Sequence, residues 1–256
     1  MRLAALQMNI RWHDRGANHQ TVAGFAKQAK ASGVDLLVLP EMFSTGFSME
    51  TAVTSEPLDG PTPEFMRHLA RDLDMGVAGG FALGEKEGKP CNVSLVVNRH
   101  GHDVALYKKI HQIALLEEDA YYKPGKMPVC FQMGGVSAAC FICYDLRFPE
   151  LFRKVVDECD LIILIASWPA ARQAHWDILL KARAVENQFF IAGVNRVGRG
   201  GGLDFGGGSA IIDPLGVRLA GAGGAETLVT ADIEPGIVSR TRSEMPFLND
   251  RKPWLV

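Results

Sequence analysis

Three near-continuous apolar runs constrain this chain more than any other feature. Val34 to Leu39, Val136 to Cys143 and Leu161 to Ala166 are short and almost free of charge, and Pro40 stops the first. A strand with one wet face alternates polar and apolar residues; a strand covered on both faces does not. These runs therefore predict sheets buried on both sides. Between them lie segments of helical period, such as Gly16 to Ala31, with Val22, Phe25, Ala26 and Ala29 on one stripe. Further helices are predicted at Pro63–Asp72, Pro149–Val156 and Gln173–Glu186. Strands are predicted at Arg2–Met8, Gly76–Phe81, Cys91–Asn98, Val104–Tyr107, Phe190–Val194, Ser209–Asp213 and Thr227–Ala231. This excess of strands over helices suits an α/β fold of two sheets packed face to face, with helices outside.

The 256 residues carry 27 Lys+Arg against 29 Asp+Glu, a net charge of −2. That balance leaves no electrostatic footprint for nucleic acid. No stretch reaches the ~20 apolar residues of a membrane span, and the N-terminus is too quickly polar for a signal peptide. Five scattered cysteines form no even framework, which reads as reduced thiols and a cytoplasmic location. No repeat or linker divides the chain, so one domain over residues 1–256 is expected. The glycine-rich Gly198–Gly208 stretch reads as a hairpin or loop within it.

Three strand-like segments end in chemically active groups. Leu39 leads to Pro40-Glu41, Tyr107 to Lys108-Lys109, and Ile142 to Cys143-Tyr144-Asp145. Active sites of α/β proteins form beside such strand ends. A thiolate can attack a carbonyl, an ammonium can lower the thiol pKa and hold an oxyanion, and a carboxylate can move protons. Taken singly, each is more often core or solvated surface; the conjunction is what carries meaning.

The neighbourhoods of these residues are specific. Leu39-Pro40-Glu41-Met42-Phe43-Ser44-Thr45-Gly46-Phe47, Tyr107-Lys108-Lys109-Ile110-His111 and Cys143-Tyr144-Asp145-Leu146-Arg147-Phe148-Pro149-Glu150 resemble the three catalytic segments of the nitrilase (carbon–nitrogen hydrolase) superfamily, in its order. Ser167-Trp168-Pro169, Arg183 to Gln188, Asn195 to Gly198 and Ile212 to Gly216 extend the resemblance over nearly the whole chain, and the first and Asn195 segments look most like the ω-amidase branch. The resemblance implies a four-layer α-β-β-α sandwich of the nitrilase type. It implies Cys143 as nucleophile, Glu41 as general base, Lys109 as oxyanion and proton-handling residue, and the Tyr144 N–H as second oxyanion donor. A further glutamate of the family falls on Glu118, with Glu117 leaving the register open by one residue. Gln112-Ile113-Ala114 departs from the family pattern, which bears on pocket shape. Phe43 and Trp168 are candidate pocket walls. Arg172 is the candidate grip for a substrate carboxylate, with Lys123 or uncharged groups as alternatives; Arg147 reads by default as a structural ion-pair residue.

Other motifs carry little. Cys140 and Cys143 form a C-x-x-C, but residues i and i+3 of a strand lie roughly 10 Å apart on opposite faces, beyond the ~7 Å a disulfide allows. Cys140 is thus expected in the core, as are Cys91, Cys130 and Cys159, and no metal site is expected. His100-Gly101-His102 reads as a turn. Asn92-Val93-Ser94 fits a glycosylation acceptor, moot without secretion. The expected function is a thiol amidase without cofactor, acting on the ω-amide of a short dicarboxylic acid such as 2-oxoglutaramate. The rivals are an N-carbamoyl amide hydrolase, a nitrilase, or a non-catalytic binding protein on the same fold. The family implies a homodimer or higher homo-oligomer, with Trp254 either an intersubunit anchor or packed on its own subunit.

Overall fold

The computed structural model describes residues 1–252; Trp254, the proposed anchor, lies outside them. In chain order the strands are β1 (Arg2–Gln7), β2 (Leu36–Val38), β3 (Ser55–Glu56), β4 (Gly76–Leu83), β5 (Cys91–Val97), β6 (Asp103–Lys108), β7 (Cys130–Met133), β8 (Val136–Ile142), β9 (Leu161–Ala166), β10 (Phe190–Asn195), β11 (Val197–Gly200), β12 (Leu203–Gly206), β13 (Ala210–Ile212), β14 (Arg218–Gly221) and β15 (Thr227–Asp232). The helices are α1 (Arg15–Ala31), α2 (Thr51–Thr54), α3 (Pro61–Asp72), α4 (Glu118–Tyr121), α5 (Pro149–Lys154), α6 (Gln173–Asn187) and α7 (Pro235–Glu244).

One sheet runs β15-β1-β2-β4-β5-β6, with β3 pairing β4; the other runs β14-β13-β10-β9-β8-β7. The apolar runs become the parallel centre of each sheet: β1, β2 and β4 in the first, β8, β9 and β10 in the second. Their side chains are buried almost throughout. The inward faces of the two sheets share one core, in which Leu36 and Val38 meet Phe141, Ile163 and Ile165. A second core fills the space between the first sheet and α1 and α3, where Val22, Ala26, Met66 and Ala70 pack on Leu37, Val77 and Leu95. Helices α5 and α6 cover the second sheet, with Phe152, Trp176 and Leu180 buried beneath them. The layers are therefore α-β-β-α, the nitrilase-type arrangement expected from the sequence.

Predicted elements fall within a few residues of those observed. The Gly198–Gly208 stretch is the β11–β12 hairpin. Not foreseen were the edge strands β7 and β14, which are short and partly exposed, the two- to four-residue elements β3, α2 and α4, and α7, whose polar sequence hides its period. His100-Gly101-His102 is a turn, its backbone N–H groups donating to Asn98 Oδ1.

Two close approaches position the site. A Cβ on Gly80 would come within 2.9 Å of Glu41 Cα and 2.8 Å of Met42 N, so only glycine lets the segment after β2 lie against β4. A Cβ on Gly125 would lie 2.1 Å from the Lys108 carbonyl oxygen, while the Gly125 N–H donates to the Lys109 carbonyl at 2.7 Å.

Candidate active site

Glu41, Lys109 and Glu118 converge in a fully enclosed cluster, each at most 1% exposed. Glu41 follows β2 on a tight turn in which Met42 has φ 45°. Its Oε1 accepts from Lys109 Nζ at 3.1 Å and from Asn92 Nδ2 at 2.7 Å. Its Oε2 accepts from the Ser167 N–H at 2.8 Å. Lys109 leaves the end of β6 pinned by its own N–H, which donates to the Asn92 carbonyl at 2.8 Å. Glu118 opens α4, and both its oxygens accept from Lys109 Nζ at 2.9 Å. Glu118 Oε2 also accepts from the Ile113 N–H at 2.8 Å, and its Oε1 from Asn92 Nδ2 at 3.1 Å.

The charges in this dry site are interdependent. Burial alone would lower the Lys109 pKa, but Glu118 and Glu41 override it and hold the ammonium charged. Burial pushes the Glu118 carboxyl up, Lys109 opposes that, and Glu41 adds to it. Lys109 also sits 5.1 Å from the Phe47 ring centroid, a favourable cation–π placement.

Cys143 stands where β8 gives way to a short helical turn, Cys143–Arg147. Its φ of 46° is rare for a residue with a side chain and turns the thiol out of the strand line. Asp145, fully buried, ties this turn to the lysine segment: it accepts from the Ile142 N–H at 3.0 Å, the His111 N–H at 3.0 Å and the Tyr107 hydroxyl at 2.8 Å. Withdrawal from water pushes the Cys143 thiol well above its usual range, Glu41 adds to this, and Lys109 opposes it. Lys109 thus lowers the thiol pKa as expected, but desolvation and a nearby carboxylate outweigh this one cation. Burial and the Glu41 charge both favour the protonated sulfur, so proton removal must accompany attack. Tyr144 follows in the first turn, where N–H groups lack intrahelical acceptors.

Cys143 lies on the floor of a pocket of about 310 Å³ including its mouth. Trp168, Phe47, Tyr144 and Ile113 wall it, and Arg147 and Arg172 also line it. Trp168 is fixed by its N–H, which donates to Asn195 Oδ1 at 2.8 Å, and by its indole N–H, which donates to the Arg172 carbonyl at 2.8 Å.

Phe43 is not a pocket wall. It is 0% exposed in the core beneath α1 and α3, with its ring against Gly79 and 5.9 Å from that of His19. Phe47, four residues on, takes the wall instead, because the chain turns back after Gly46, whose φ is 86°. Arg147 is not the structural ion-pair residue its motif suggested. It sits 4.7 Å over the Trp168 ring and 3.4 Å from His175 Nδ1, with no acidic partner among the described residues. Lys123 pairs with Glu85 instead of lining the pocket. Glu117 is exposed, so it is Glu118 that meets Lys109. Cys140 is 1% exposed in the core, whereas Cys130 and Cys159 bring their sulfurs to 3.5 Å. The sequence reading weighed Asn92 only as a glycosylation acceptor; its signal for the site was a large polar side chain inside a mostly apolar strand.

Residues 2–243 match the family model of the carbon–nitrogen hydrolases. The chain belongs to this family. It is 35% identical to the Omega-amidase YafV of Escherichia coli (strain K12), covering 98% of this chain and 96% of the relative. It is 31% identical to the 2-oxoglutaramate amidase of Bacillus subtilis (strain 168), covering 97% and 96%. Among solved structures, XC1258 from Xanthomonas campestris, a CN-hydrolase superfamily protein with an arsenic adduct in its active site, superposes with a TM-score of 0.93 at 33% identity, covering 98% of this chain and 97% of that one. A double mutant of the amidase from Nesterenkonia sp. AN1, in complex with acrylamide, superposes with a TM-score of 0.90 at 28% identity, covering 100% and 95%. This carbon–nitrogen hydrolase is thus an enzyme acting on amides, on a nitrilase-type fold.

Proposed function

We propose that the enzyme hydrolyses the terminal amide of a short dicarboxylic acid, 2-oxoglutaramate foremost, through a Cys143 thioester with release of ammonia. One observation carries the reading: the pocket that exposes Cys143 is also lined by two arginines, Arg147 and Arg172, that have no carboxylate partner among the described residues. A planar guanidinium grips a carboxylate through two parallel bonds. A substrate with an amide at one end and a carboxylate at the other matches that pairing, and relatives named ω-amidase and 2-oxoglutaramate amidase agree with it.

In this reading Glu41 takes the Cys143 proton as the sulfur attacks the amide carbon. Lys109 Nζ and the Tyr144 N–H hold the oxyanion. Collapse of the adduct breaks the C–N bond, and ammonia leaves with the proton carried by Glu41. Glu41, with Glu118, then activates water against the thioester, which frees the acid and restores the thiol. Two easier steps replace one hard one.

Ammonia release from 2-oxoglutaramate, glutaramate, succinamate, N-carbamoyl compounds and nitriles tests the substrate class. The ω-amides are expected to be the best substrates. A faster carbamoyl compound or nitrile would replace this reading with the corresponding rival. No turnover of any, together with no fast-alkylating cysteine, would leave a binding protein.

The described residues contain no helix long and apolar enough to cross a membrane, and five free cysteines support a reducing, cytoplasmic location. A homodimer or higher assembly is part of the same proposal. Its support is the outer face of α6, where Ile178 and Val185 are 66% and 45% exposed, Val185 lying against the turn at Gly216 between the exposed Leu215 and Val217. A solution mass near one subunit at working concentration would remove it.

A further inference from the structure

Two carboxylates share one ammonium in the enclosed cluster, an arrangement that normally drives a proton onto one of them. The third member is Asn92, on β5 between β4 and β6. It is 0% exposed, and its Nδ2 donates one hydrogen to Glu41 Oε1 at 2.7 Å and the other to Glu118 Oε1 at 3.1 Å. The carboxylates fix the direction of the amide, since an oxygen facing them would be repelled. Its own Oδ1 is left buried with no hydrogen-bond partner. An apolar residue would avoid that cost, so packing alone does not account for an amide here.

Lys109 directs its bonds at Glu41 Oε1 and at both oxygens of Glu118. To hold an oxyanion it must turn a hydrogen away from one of them. At that moment the second donor to both carboxylates is Asn92. We propose that Asn92 is a positioning residue of the reaction, whose two amide hydrogens hold Glu41 and Glu118 side by side while Lys109 turns to the oxyanion. The inference rests on the roles given above to Glu41, Lys109 and Glu118. The other titratable groups facing this cluster are Cys143 and the Tyr122 hydroxyl. Neither can replace Asn92, because each has a single hydrogen.

The role is needed more in the transition state than in the bound substrate, which sets the test. Asn92→Leu keeps the size and removes both hydrogens. It is expected to lower kcat on the order of 10- to 100-fold with KM changed by less than about threefold. The acid limb of kcat/KM should move up by about one pH unit, since lost donors favour a protonated carboxyl. A loss borne by KM, or an acid limb that stays in place, would overturn the proposal. Should Asn92→Leu not accumulate folded, Asn92→Ser, with one hydrogen for two carboxylates, is read in the same way.

Melting supplies an arm independent of turnover. Glu118→Gln should lower the melting temperature of the otherwise unchanged enzyme, because it breaks the pairing with Lys109. On the Asn92→Leu background the same change should raise it by a few degrees, because it relieves two carboxylates no longer held together. Equal lowering on both backgrounds would mean that Asn92 only packs. Failure of the Glu41 assignment is distinct: Glu41→Gln would then keep turnover, while the melting comparison would still decide the fate of Asn92.

Discussion

Ser167 and Glu41 are joined twice across the two sheets: the Ser167 N–H donates to Glu41 Oε2 at 2.8 Å, and its hydroxyl donates to the Glu41 carbonyl at 3.3 Å. Ser167 follows β9 of the second sheet, whereas Glu41 follows β2 of the first. The proposed base is thus held by the sheet opposite its own, and packing the two sheets together completes the site.

Glu41→Gln keeps the shape but offers one acceptor where three donors converge, and it removes the base. Acylation should fall by on the order of a hundredfold or more. Ser167→Ala, which retains the stronger backbone bond, should cost far less. Stopped-flow acylation of the two variants checks the contrast, and equal losses would count against Glu41 as the base.

Glu118→Gln should impair turnover, because it removes the charge that faces Lys109 at 2.9 Å. Glu117→Gln changes an exposed side chain and should leave kcat within about twofold. Steady-state kinetics of both variants test this directly.

Arg172→Met and Arg147→Met each remove a guanidinium from the pocket. KM for a glutaramate-type substrate should rise at least tenfold in either, as a charged hydrogen-bonding partner is lost. A short neutral amide should be processed nearly as before. Equal losses on both substrates would make that arginine structural.

His19 stacks on Phe65 with ring centroids 4.1 Å apart. Burial first, and Arg15 second, lower its pKa from 6.5 to about 4. A depressed histidine favours the fold while neutral: its contribution is full above pH 6.5 and is lost progressively as pH falls towards 4. His19→Gln should therefore flatten the loss of stability across that window. Denaturant midpoints measured from pH 8 to 4 check it, and an unchanged slope would rule out His19 as a source of the acid sensitivity.

The residues differ in how far their sequence disclosed them. The centres of both sheets were legible because strands covered on both faces cannot hide their composition, as Leu161 to Ala166 shows. Glu41, Lys109 and Cys143 were legible through their neighbours, each at a strand end inside a family segment. Phe43 was misread because residues four apart on a turning loop can face opposite sides of a sheet, and only the backbone path decides which; Arg147 was misread because its partners, Trp168 and His175, are distant in sequence. Asn92 was hidden because a buried amide is judged by its partners, and these lie 51 and 26 positions away in sequence.

Cys143 as the nucleophile is the central claim, and intact-protein mass spectrometry under rapid quench tests it most directly. With a slow ω-amide substrate, the account predicts an adduct of the acyl mass that peptide mapping places on Cys143. It also predicts that Cys143→Ala abolishes both adduct and turnover while the fold survives, and that Cys140→Ala keeps turnover at a cost of about 1 kcal/mol in stability. An adduct on any other cysteine, or substantial turnover by Cys143→Ala, would contradict it.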